Sequence, residues 1–309
     1  MNASDHLNPQ RGVALITAML VVVLGTLLLV GMSTEQQLDI RRTATLLNVD
    51  QAYQDALGGE SWAMGVLRRD KGATDGLADD WAMSLAPIQV EGGVATGKII
   101  DLQGRFNLNS LLKEGKPSEL EVARLQRLLT ILELDPGLVN ALLDWMDVDQ
   151  EVRQPGGAES GTYMSLEPPY PSAGRLFTSV TELYLIAGVD KELFRKLEPL
   201  VAVLPGWTAI NVNTAPVEIL MALGEGIERS DAEALVDSRE IADFSSVDKF
   251  VQSNILVGKT IAKDGLDVGS HYFLVNSQVN VGRGRMQLFS LLKRDKGKVT
   301  VQMRGQGVM

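Results

Sequence analysis

A chain of 309 residues with 39 acidic and 29 basic side chains, net charge -10, is long enough for one large or two ordinary domains. With 45% apolar and 22% charged residues it is neither disordered nor fibrous, and its acidity argues against a nucleic-acid partner. The absence of cysteine excludes disulfides, thiolate metal sites and a cysteine nucleophile, and two distant histidines, His6 and His271, leave little for a hydrolytic triad or a histidine metal site.

The first predicted element is a membrane helix. Residues Val13 to Thr34 carry no charge, and at about 1.5 Å per residue they cover about 33 Å, enough for a hydrocarbon core of about 30 Å. A cleaved secretory signal has an apolar run of only about 7 to 15 residues, followed by a small-residue cleavage site. Here the helical pattern instead continues from Glu35 to about Arg69, so one helix starts in the membrane and ends in water.

A polar leader, residues 1–12, ends Gln10-Arg11-Gly12 and abuts the apolar run at Val13. A basic residue and a glycine placed before the run resemble a prepilin peptidase site, with cleavage between Gly12 and Val13. Type IV pilins and their relatives carry Glu at the fifth mature position, where it meets the terminal amine of a neighbouring subunit inside an apolar filament core, and a buried charge needs such a partner. The fifth mature position here is Thr17. Among type II secretion pseudopilins, lack of that Glu marks the K subunit, and the chain resembles the minor pseudopilin K family along nearly its whole length.

After the helix, alternating residues on either side of Gly92-Gly93, from Pro87 to Asp101, predict a hairpin. Three further strands are predicted at the other end, His271 to Val281, Arg285 to Arg294 and Lys298 to Arg304, divided by Gly282-Arg283-Gly284 and Asp295-Lys296-Gly297. Between these blocks the period is helical: Leu120 to Leu132, Leu138 to Met146, Val180 to Ala187, Leu193 to Val203, Pro216 to Leu223, Asp231 to Ile241 and Val247 to Gln252. The expected fold class is α+β: a pilin-like long N-terminal helix and small antiparallel sheet, interrupted by a large all-α insertion. The boundaries are 13–34 for the membrane part, 35–70 for the rest of the helix, 71–105 with 268–309 for the head, and 106–267 for the insertion. The resemblance implies the packing of sheet on helix and makes the insertion the family's distinguishing feature.

A faint repeat divides the insertion. Phe106-Asn107-Leu108-Asn109 and a later Phe177-Thr178-Ser179-Val180 mark one half; Ile210-Asn211-Val212-Asn213 and Phe244-Ser245-Ser246-Val247 mark the other. Asn side chains in such places cap helices and bond turn backbone. The second half looks like a helix-hairpin-helix unit, a form that in DNA-binding proteins presents backbone amides to phosphate. Its turn, Gly224-Glu225-Gly226-Ile227-Glu228, lies in a segment where acids outnumber bases, so a packing role is the better reading.

The second constellation is acidic. From Glu133 to Glu167 eight acids accompany one base, Arg153, and the dense stretch Asp144 to Glu151 precedes a Gly-rich loop, Gln154 to Tyr163. Clustered carboxylates beside a flexible loop suit a hard cation, since Ca²⁺ takes six to eight oxygens; a solvated acidic surface is the commoner outcome of such a run. The spacing is not that of an EF-hand. The K-family resemblance implies calcium bound through Asp144, Asp147, Asp149 and Glu159, with Glu151 matching by proximity alone.

The resemblance further implies a non-enzymatic minor pseudopilin at the pseudopilus tip that helps initiate assembly for export of folded proteins. Its partners would be I- and J-type pseudopilin heads and the prepilin peptidase, with one span in the bacterial inner membrane, the head in the periplasm and a methylated new N-terminus. The alternatives from other classes are a membrane-anchored helix-hairpin-helix DNA-uptake protein and a membrane-tethered carboxylate hydrolase. No phosphate-binding loop or dinucleotide fingerprint is evident.

Overall fold

The computed structural model describes residues 10–84 and 86–307, with side chains from Val13 onward. The expected leader 1–12 therefore lies largely outside the described residues. A single helix runs Gln10–Arg69, 60 residues or about 90 Å, through Gly31 and the Gly58-Gly59 pair. Its apolar half, exemplified by Leu15, Val22 and Leu28, packs against no other element among the described residues, and its large side chains are more than half exposed. Only the last third is covered: Ala52, Ala56, Ala63, Val66 and Leu67 are buried against a sheet. Those positions recur at helical spacing and are small where contact is closest, so the sheet can lie near the helix axis. Gly59 marks the tightest approach, since a Cβ there would stand 2.7 Å from Ser277 Oγ.

The sheet has five antiparallel strands in chain order, Ile88–Val90, Gly93–Asp101, Tyr272–Val281, Gly284–Asp295 and Lys298–Gln306. The expected hairpin and all three C-terminal strands form, and the turns fall at Gly92, Gly282 and Lys296-Gly297, each with positive φ. On the helix side Val275, Val279, Leu288 and Leu292 close the core, and Trp81 sets its edge against Phe273 at 5.2 Å. Glu60 is buried there as well, held by Arg304 through two 2.7 Å bonds and by the Ser290 hydroxyl at 2.6 Å. Those hydrogen bonds, above all to Arg304, outweigh desolvation and hold the Glu60 carboxyl below its ordinary value.

The chain leaves the sheet after Asp101 and returns at Tyr272, and Asp101 pairs directly with Phe273. The intervening segment has its own core, with Leu125, Leu128, Leu142, Leu220, Leu235 and Phe250 among its buried members. Helices form at Glu119–Ile131, Leu138–Met146, Lys191–Leu197, Val217–Ala222, Arg229–Ile241 and Val247–Val251, close to the periodicity. Two expectations need correction. Val180 to Ala187 forms a short 3-10 helix, Val180–Leu185. Leu193 to Val203 is not one helix: it ends near Pro199, whose ring cannot continue the backbone ladder, and Val201–Ala202 becomes a strand paired parallel with Phe106–Asn107.

That parallel bridge has a counterpart, Ile210–Asn211 with Leu266–Asp267, so the two halves share a frame. In the first, the Asn109 side chain donates to Phe177 O at 3.0 Å and to Leu204 O at 2.9 Å and accepts from Phe177 N at 2.9 Å. In the second, the Asn213 side chain donates to Phe244 O at 3.1 Å and accepts from Phe244 N at 2.9 Å. Ser179 and Ser246 then cap the helices that follow. The repeat read in the sequence is a pair of amide staples, each sealing a backbone segment whose groups no strand satisfies.

The inserted segment is fastened to the head by a polar knot. Buried Asp101 accepts from Ser270 Oγ at 2.7 Å, Thr214 Oγ1 at 2.5 Å, Asn211 Nδ2 at 3.1 Å and Gln103 N at 2.8 Å. Burial pushes its carboxyl upward, and the four donors oppose that. Beside it Arg294, on the fourth strand, reaches Asp70 at 2.7 Å and pairs with Asp75.

Candidate metal centre

The helix Leu138–Met146 is apolar on nearly every face and so is buried nearly throughout. Asp144 is carried into the interior by that burial and has no exposed surface. Asp147 ends the helix, and the returning loop brings Glu159, 3% exposed, to face both. Asp144, Asp147 and Glu159 each offer a carboxylate oxygen within 4.8 Å of the others. Asp149 stands outside that group: it is exposed, and its Oδ1 accepts the Glu151 N–H at 2.9 Å, a local turn that points the carboxylate back along its own loop. Glu151 is exposed as well.

Two of the clustered oxygens, Asp147 Oδ1 and Glu159 Oε1, are buried without any hydrogen-bond partner. Glu159 Oε2 accepts from Ser172 Oγ at 3.2 Å. Burial, and for Glu159 the facing Asp144 and Asp147, push both carboxyls above their ordinary range. Buried carboxylate oxygens left without donors are costly, and a divalent cation satisfies them with oxygen-rich coordination, so the three residues fit calcium. The loop passes close to the cluster at Gly157, where a Cβ would fall on Asp144 Oδ2 and on Arg153 O. Trp145, edge-on to Tyr163 at 5.2 Å, seals the inner side, and Tyr163 stacks on Tyr170.

The composition of this site was only half visible in advance. Arg153 lies inside it: the guanidinium Nη1 donates to Asp144 Oδ1 at 2.6 Å and also to Asp147 Oδ2, and its backbone N–H donates to Asp144 Oδ2 at 3.1 Å. Although desolvation works against it, these carboxylates hold the Arg153 guanidinium above its ordinary value. In the sequence its only mark is being the one base among eight acids from Glu133 to Glu167.

A second acidic group, Asp70, Asp75 and Asp79, also has neighbouring oxygens, but Arg294 already pairs with two of the three. The helix-hairpin-helix-like turn is filled from within as well. Asp231 accepts the Glu228 N–H at 2.9 Å, and Lys259 pairs with Asp231 at 2.8 Å, so the chain's own charges occupy the start of helix Arg229–Ile241.

At the other end of the molecule Thr17 bonds its own helix, donating to Val13 O at 3.1 Å or Ala14 O at 3.0 Å. A bare apolar helix long enough to cross a membrane once, continuing into a last third covered by an antiparallel meander, fits a pilin-type subunit with a single-pass anchor. The family described as type II secretion system (T2SS), protein K matches residues 104–206 and, as a second unit, 210–269. Type II secretion system protein K of Pseudomonas aeruginosa is 39% identical over 96% of this chain and 93% of its own length; that of Klebsiella pneumoniae is 33% identical over 97% of each. A solved chain in the crystal structure of the GspK-GspI-GspJ complex of enterotoxigenic Escherichia coli superposes with a TM-score of 0.77 at 25% identity, covering 87% of this chain and 100% of that one. The chain belongs to the type II secretion system protein K family, and its role is that of a minor pseudopilin.

Proposed function

We propose that this subunit caps the tip of the pseudopilus and helps initiate its assembly, with calcium bracing the inserted segment. The observation that carries the tip assignment is the pairing of Thr17 with a large insert. A hydroxyl bonded to its own helix offers no carboxylate to the terminal amine of a neighbouring subunit, and the segment from Leu102 to His271 adds bulk that a repeated shaft position would have to accommodate. A terminal subunit is contacted from one side only, so both features are tolerated there. The bare helix between Thr34 and Leu47, with Leu38, Ile40, Leu46 and Leu47 exposed, supplies the surface for helices of I- and J-type heads. Prepilin peptidase cleaves after Gly12, the new terminus is methylated, the helix spans the inner membrane once, and the head lies in the periplasm. Assembled filaments, sheared and labelled quantitatively for this subunit, test the reading. Label confined to one end, at one copy per filament, is expected; label along the shaft at the frequency of the major subunit refutes it.

Calcium is assigned to Asp144, Asp147 and Glu159, and the unpartnered oxygens of Asp147 and Glu159 support it. An ion that binds only the folded state adds about 2.7 kcal/mol of stability at 100 times its dissociation constant. Melting with calcium and with chelator is the measurement, and equal midpoints at saturating calcium leave a solvated acidic surface.

A further inference from the structure

The calcium reading leaves one residue unexplained. The cluster of Asp144, Asp147 and Glu159 contains a cation of its own, and its placement is specific. Arg153 Nη1 sits between Asp144 Oδ1 and Asp147 Oδ2, 2.6 Å from the first and in hydrogen-bond contact with the second. Oxygens around Ca²⁺ lie at about 2.3 to 2.6 Å, so this single nitrogen stands where an ion shared by those two carboxylates would stand. The two positive charges therefore compete for one place. Meanwhile Asp147 Oδ1 and Glu159 Oε1 face the cluster with no donor, which shows that one guanidinium does not satisfy three carboxylates.

The arginine is also free to leave. Its side chain is 28% exposed, while Asp144 is fully buried and Asp147 is 12% exposed. Apart from the two carboxylates, no other group among the described residues bonds its guanidinium. The glycines that follow, Gly156 and Gly157, lie in the same loop. The backbone N–H of Arg153, bonded to Asp144 Oδ2, keeps the main chain in place while the side chain turns outward.

We propose that Arg153 is the resident cation of this site: its guanidinium holds Asp144 and Asp147 together while calcium is absent and swings out to solvent when the ion binds. The arginine prevents two buried carboxylates from facing each other uncompensated, so the loop keeps its shape without metal, and it lowers calcium affinity by the strength of the pair it must give up. In the loaded protein the freed guanidinium lies on the surface beside exposed Val148 and Val152, so the charge presented by this face depends on calcium.

This inference rests on the calcium reading, and the experiment separates the two. The full chain in detergent micelles, as wild type and as Arg153→Gln, is titrated with calcium alone by calorimetry. In parallel, wild-type Arg153 is labelled with phenylglyoxal and quantified by peptide mass, with calcium and with chelator. The expected results are a severalfold rise in Arg153 labelling on calcium saturation and calcium binding to Arg153→Gln tighter by at least about tenfold, equivalent to about 1.4 kcal/mol. Calcium binding with Arg153 labelling unchanged or reduced overturns the exchange and leaves the metal assignment standing. No calcium binding by either protein overturns the metal assignment itself. The labelling arm needs only wild type, so the test survives a substitution that fails to fold.

Discussion

The amide staples make a quantitative statement about the inserted segment. Changing Asn213 to Ala removes the donor to Phe244 O and the acceptor of Phe244 N–H, both inside the core. Changing Asn109 to Ala does the same to Phe177 and also frees Leu204 O. Each buried backbone group left without a partner costs about 1 to 3 kcal/mol, and water entering the small void left by the truncation recovers part of that, so about 3 kcal/mol is expected at either site. For a folded unit of this size 1 kcal/mol corresponds to about 2 to 4 °C, which puts the expected loss at about 6 to 12 °C. The assay is thermal unfolding of each full-chain variant in detergent, followed by far-ultraviolet circular dichroism. Asn→Asp at the same positions retains the acceptor but sets a carboxylate against a carbonyl oxygen, so at neutral pH it is expected to cost no less. A shift within about 2 °C at either Asn→Ala site, well below what a buried pair of orphaned groups demands, would refute the staple argument.

Other expectations test separate parts of the molecule. Gly157→Ala places a methyl group on Asp144 Oδ2 and should abolish the calcium-dependent rise in melting temperature while removing no charge; a retained rise means that Asp144 is not a ligand. The ordinary pKa of Glu60 is 4.5 and its folded value lies lower, so its contribution is complete above 4.5 and lost as pH falls through the folded value. The melting difference between wild type and Glu60→Gln should therefore be constant from pH 7 to about 5 and shrink in stronger acid. Intact-mass analysis of protein from cells with the peptidase should find a mature chain beginning Val13-Ala14-Leu15; a chain beginning beyond Gly31 would establish an ordinary signal sequence.

What the sequence disclosed followed from period and punctuation. Val13 to Thr34 is legible because 22 consecutive uncharged residues make one apolar helix long enough to cross a membrane, and Leu138–Met146 is legible to the residue because Pro136-Gly137 precedes it and an acidic turn follows. Strands separated by glycine turns were equally plain. Val201–Ala202 was not, because a two-residue parallel bridge to Phe106–Asn107 is decided by a partner almost a hundred positions away, and its local pattern passes for the end of a helix. In the acidic site the family resemblance names Glu159 and Asp149 alike; the fold brings Glu159 beside Asp144 and Asp147, whereas Asp149 stands apart and accepts a hydrogen bond from its own loop. The role of Arg153 has no signature in the sequence, because proximity in the folded chain, not residue type, gives it that role.

The join between head and insert bears on how this protein folds. The strand Gly93–Asp101 must pair with Tyr272–Val281, and without the intervening structure that pairing would close a loop of about 170 residues at an entropic cost near 4.5 kcal/mol from chain length alone. Once the insert has folded, Leu102 and His271 emerge side by side, and the Asp101 knot tethers them there, so the sheet zips as if across a short turn. An insert that folds first would thus act as an intramolecular template for closure of the head sheet. A lesion deep in the insert, in a core separate from the one under the N-terminal helix, would then be read out as a chain whose pilin half never closes.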